Sequence, residues 1–140
     1  MREILFRGKR VDNGEWIEGY FCKKHFQEIP HDRYVIQYKT ECDPKLWKPD
    51  YMAEEVIPET VGQCTGLADK NGKKIFEGDI VEVNHDAYPG ARGKVFFKNG
   101  SFMLEKVSEV LSLYGFLPWC KVIGNIHDNP ELLEVSHATD

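Results

Sequence analysis

The 140-residue chain has no apolar run near the ~20 residues that a membrane-spanning helix needs. Residues 1–6 lack the apolar region and small-residue cleavage site of a secretory signal, so the expected location is the cytoplasm. Positive charge is also scarce: 18 Lys and Arg face 23 Asp and Glu, for a net charge of -5. This argues against wholesale non-specific binding to nucleic acid, which needs clustered cations, though it leaves room for a local basic patch. The four cysteines, Cys22, Cys42, Cys64 and Cys120, include no C-x-x-C pair. The reading is reduced thiols, with a zinc site of dispersed Cys and His as the alternative. Gly62, Gly66, Gly72 and Gly78 do not form a phosphate loop, and H-E-x-x-H and G-x-S-x-G are missing. No cofactor and no metal are expected.

Turn chemistry is plentiful. Asn-Gly occurs at Asn13-Gly14, Asn71-Gly72 and Asn99-Gly100, each between strand-like residues. Both residues tolerate the positive φ of a two-residue type I′ hairpin turn, so the pattern predicts antiparallel β structure. Strands are expected over residues 3–7, 15–22, 33–39, 60–65, 79–84, 92–98, 101–105 and 121–127. Leu104, Val107, Val110, Leu111 and Tyr114 recur at helical spacing, which predicts a short helix over residues 106–113. Asn129-Pro130 predicts a closing helix over 129–133, with Asn129 as cap. Prolines at 44, 49 and 58 break the pattern. They suggest an N-terminal β lobe over about residues 1–40, a mobile connecting segment over 41–58 and a C-terminal lobe over 59–134. A helical turn over 49–56 is the alternative within that segment, and 135–140 read as a frayed tail. The fold class is all-β with one or two short helices. By analogy, the order of short strands in the second half suggests a small SH3-type barrel.

The stretch Glu59-Thr60-Val61-Gly62-Gln63-Cys64-Thr65-Gly66-Leu67-Ala68-Asp69-Lys70-Asn71-Gly72-Lys73-Lys74-Ile75-Phe76-Glu77-Gly78-Asp79-Ile80-Val81 resembles the signature of the YopX family. The start, Met1-Arg2-Glu3-Ile4-Leu5-Phe6-Arg7, and the end, Val122-Ile123-Gly124-Asn125-Ile126-His127-Asp128-Asn129-Pro130-Glu131-Leu132-Leu133, are similar to that family in the right order. The resemblance implies one β-rich, barrel-containing domain over 1–134, a phage or prophage origin, and hence the cytoplasm of a host bacterial cell. It brings no catalytic residues.

Three functions compete. The first is a non-enzymatic protein-interaction module, binding a host or phage protein or self-associating, with an edge strand or the segment of Leu46, Trp47 and Tyr51 as the contact. The second is a nucleic-acid-binding accessory protein. Its basic face would combine Arg7, Lys9, Arg10, Lys70, Lys73 and Lys74, with Phe76 stacking on bases. The third is an enzyme with a dispersed Asp79 and His127 site. Asp69, Glu77 and Asp79 read more simply as turn residues. His25, Glu28, His31 and Asp32 form the densest potential ligand group. Trp16 and Trp119 are expected in the core.

Overall fold

The computed structural model describes residues 3–25, 27–28, 31–40, 45, 51–106 and 109–134. It is all-β and divides into two compact units, 1–63 and 64–140, with the boundary inside one strand.

In the first unit, β1 (Phe6–Lys9) pairs with β2 (Trp16–Lys24), β2 with β3 (Arg33–Lys39), and β3 with β4 (Tyr51–Glu55), all antiparallel. Tyr51–Glu55 is therefore a strand and not a helical turn. The chain beyond β4 returns along the end of β1. Val11 N–H donates to Glu55 O at 3.0 Å, Ile57 N–H donates to Lys9 O at 2.8 Å, and Arg10 bridges Val56. A 3₁₀ turn (Pro58–Thr60) then places Thr60 Oγ1 to accept Lys9 N–H at 2.9 Å and to donate to Ile57 O at 2.6 Å. Among the described residues, Val35, Ile36 and Val56 are the buried aliphatic residues of its core. Around it the rings of Phe6, Phe21 and Tyr34 pack on one another, with centroids 5.5 and 5.9 Å apart, and backbones approach closely. A methyl on Gly19 would collide with the Gln37 carbonyl, and one on Gly8 would press on Val56 and Ile36.

Strand β5 (Gly62–Ala68) crosses the boundary. Gly62 and Gln63 pair with β1, while Cys64 and Ala68 pair with β6 (Lys74–Phe76). The second unit holds a five-stranded antiparallel sheet in the order β10-β9-β8-β7-β11, with β7 (Asp79–His85), β8 (Tyr88–Lys98), β9 (Ser101–Glu105), β10 (Val110–Ser112) and β11 (Cys120–Asn125). One apolar cluster fills it: Ile75, Val81, Val83, Val95, Leu104, Leu111, Leu113, Cys120 and Val122. Alternation along β7 and β11 explains the choice, since Val81 and Val83 on one strand face Val122 and Cys120 on the other.

The expected helix over 106–113 is corrected. Residues 107–108 lie outside the described residues, and Val110–Ser112 is strand β10, in register with Glu105, Leu104 and Met103 of β9. Leu111 and Leu113 are buried with exposed Ser112 between them, a period of two that outweighs the local helical spacing. The described pairings close no barrel, because β10 and β11 remain sheet edges. The closing helix is a 3₁₀ turn (Pro130–Leu133), and the Asn129 side chain does not cap it. That side chain instead accepts Asn125 N–H at 3.3 Å. Only Asn99-Gly100 is a two-residue hairpin with both residues at positive φ, 54° and 78°. The other two Asn-Gly pairs place only the glycine there, in longer loops.

Candidate functional site

Strand register gathers one face of the first unit. Arg7 lies opposite Glu18 and Lys9 opposite Trp16, Tyr20 lies opposite Gln37, and Lys39 opposite Tyr51. Partners across a ladder share a face, as do residues two apart on a strand. Arg7, Lys9, Trp16, Glu18, Tyr20, Gln37, Lys39 and Tyr51 therefore project to the same side. Trp16 is half-buried beneath two cations, with the Arg7 guanidinium 4.7 Å and the Lys9 ammonium 5.5 Å from the ring centre. Beyond it runs a groove of about 450 Å³ lined by Glu3, Glu18, Tyr20, Lys39 and Tyr51, among others. Tyr20 is 47% exposed and Tyr51 49%. The Tyr20 hydroxyl donates to Glu3 Oε1 at 3.3 Å. The Glu3 charge pushes the phenol pKa up, with smaller contributions from burial, that hydrogen bond and neighbouring Tyr51.

The predicted interaction residues thus divide. Tyr51 lines the groove, while Leu46 and Trp47 lie outside the described residues. The predicted basic residues divide too. Arg10 is engaged by Asp12 through Nε–Oδ1 at 2.9 Å and Nη2–Oδ2 at 2.7 Å, with Glu54 at 3.4 Å. A guanidinium so paired is a poor phosphate contact. Lys70, Lys73 and Lys74 are exposed on the β5–β6 hairpin of the second unit. Phe76 is corrected: it is 3% exposed, so its ring is not offered to a base. Trp119 is also corrected. It is 38% exposed rather than in the core, and its ring meets that of His85 nearly perpendicularly, with centroids 4.5 Å apart.

The turn carboxylates have structural partners. Asp69 Oδ1 accepts Asn71 N–H and Lys73 N–H, each at 2.9 Å, while Oδ2 accepts Val122 N–H at 3.0 Å. Burial alone would raise this carboxyl's pKa, but the three backbone donors and Lys73 outweigh it and hold it below the usual value. The Asn71 and Lys73 bonds follow from turn chemistry. The Val122 bond spans 53 positions and has no local signal. Asp79, also buried, accepts Phe76 N–H at 2.8 Å. In the predicted ligand group, His25 Nδ1 meets Asp32 Oδ1 at 2.9 Å and Lys23 meets the other oxygen at 3.1 Å. Among the described residues, no three His, Cys, Asp or Glu side chains gather to hold a metal ion. Cys22 is exposed, whereas Cys120 is buried, and burial, with the Asp69 charge adding, pushes its thiol up to about 11. Among the described residues, no helix is long and apolar enough to cross a membrane.

A β-rich chain is what the YopX resemblance implies, and the YopX protein family model matches residues 5–134. The chain belongs to the YopX family. Among solved structures it is similar to the crystal structure of protein EF1440 from Enterococcus faecalis, with 26% identity, coverage of 96% of this chain and 100% of that one, and a TM-score of 0.59. No curated protein matches the chain.

Proposed function

We propose that the chain is a non-enzymatic protein-interaction module that engages a partner polypeptide through the β1–β4 face of its first unit. The observation that carries this reading is the pair Tyr20 and Tyr51, both about half exposed beside one groove. Large, stiff, amphipathic rings are the commonest interface anchors, because they bury much area for little lost side-chain freedom. Around them Glu3, Glu18, Lys39 and Arg7 supply both signs of charge, which favours specificity over adhesion. The partner is a host or phage protein or a second copy of this chain, in keeping with a phage-derived protein of the host cytoplasm.

The test is retention from nuclease-treated host lysate at low and high salt, with the wild type and a Tyr20→Ala/Tyr51→Ala variant. The expected result is a protein retained by the wild type at both salts and lost by the variant. Equal retention by the variant overturns the reading.

A further inference from the structure

The charged residues that line the groove of the first unit are Glu3, Glu18 and Lys39. Glu18 stands opposite Arg7 in the β1–β2 ladder. Glu3 and Lys39 are different. Both are exposed, and among the described residues neither has an ionic partner. The Glu3 carboxylate accepts only the Tyr20 hydroxyl, at 3.3 Å. Lys39 closes β3 and lies opposite Tyr51 of β4. Tyr20 of β2 stands between the two charges: it touches Glu3 on one side, and on the other its ladder partner Gln37 is two residues from Lys39.

A face with a carboxylate on one side of a tyrosine and an ammonium on the other is its own complement. A twofold axis lying in the plane of that face and passing Tyr20 turns the face over. Each Glu3 then meets Lys39 of the second copy. We propose that the groove of the β1–β4 face docks on a second copy of this chain, with two equivalent Glu3–Lys39 contacts flanking the tyrosines. This rests on the reading of that face as an interface and names its partner. A partner carrying one sign of charge would leave either Glu3 or Lys39 unmatched, whereas a second copy matches both with one contact made twice. Tyr20 and Tyr51, half exposed beside the groove, supply rigid area between the charged contacts.

The experiment is sedimentation equilibrium of the full chain, alone and as charge-reversed variants. The face is smaller than the roughly 20–30 residues a side of a standard interface, so a dissociation constant of about 10–100 µM is expected. The mass of the wild type should therefore rise from the monomer's 16.2 kDa towards twice that value as concentration increases. Glu3→Lys and Lys39→Glu each place like charges at both contacts, and each alone is expected to weaken the dimer about tenfold or more. An equimolar mixture of the two variants should restore it. In the mixed dimer one contact keeps both native charges and the other reverses both. Restoration on mixing cannot come from misfolded chains, so it separates a lost contact from a lost fold. A wild type that stays monomeric at about 500 µM overturns the proposal. So do single variants that dimerise as well as the wild type, or a mixture no stronger than its components. A monomeric wild type overturns this inference and not the broader reading, because retention from lysate reports a different partner. Conversely, lysate retention indifferent to the two tyrosines sinks that reading and leaves the mixing result intact.

Discussion

The two units are stabilised in opposite ways. The second buries a nine-member apolar cluster between β-strands and the segments leading into β11. The first has, among its described residues, three buried aliphatic side chains; it brings backbones together at Gly8 and Gly19, half-buries the rings of Phe6, Phe21 and Tyr34 against one another, and leaves Tyr20 and Tyr51 about half exposed. The second unit is therefore sensitive to atoms removed, and the first to atoms added. A unit with two half-exposed tyrosines beside one groove also has more to offer a partner.

The largest effect should come from emptying the second core. Leu104 is 1% exposed within the cluster, and Leu104→Ala is expected to cost about 2–5 kcal/mol, read from urea unfolding. A loss below 1 kcal/mol would show that the cluster is loosely packed.

Next comes the buried carboxylate. Asp69→Asn turns an acceptor into a donor facing backbone N–H groups, at an expected cost of about 1–3 kcal/mol. The folded pKa of Asp69 lies below its unfolded value of about 4, so its contribution is complete above that value. It is lost as the pH falls through the lower folded value. Unfolding measured from about pH 6 to pH 2 should therefore show an acid limb that flattens in the variant.

Gly19→Ala sharpens the comparison from the other side. The added methyl meets backbone, which cannot swing away, and about 1–3 kcal/mol is expected. Amide exchange should report the loss in β2 and β3. A neutral result would remove the contrast between the units.

The smallest effect on stability should be at Tyr51. Being half exposed, Tyr51→Ala should change the unfolding free energy by no more than about 0.5 kcal/mol while weakening partner retention. A large stability loss would make Tyr51 a packing residue and not a contact.

Much of the strand layout was legible in advance. The strands expected over residues 33–39 and 101–105 coincide with β3 and β9 to the residue, because alternation and flanking turns agree there. The β10 segment is ambiguous in the sequence, because Val107, Val110, Leu111 and Tyr114 fit a helix about as well as two short alternating runs. Pairing with Glu105, Leu104 and Met103 resolved that ambiguity. The candidate sites were less legible. Phe76 and Trp119 are both aromatic and both near strand ends, yet one is buried and the other half exposed.

By itself, the sequence determined the all-β class, the turn positions, the family and the turn roles of Asp69 and Asp79, since these rest on period-two alternation and on residues with special backbone freedom. Tertiary structure alone decided which faces point outward, that Asp69 reaches Val122, and that Arg7 and Tyr51 share a face. The physical reason is that a strand's period is local, whereas the side of the strand that meets water is set by its register with partners tens of residues away.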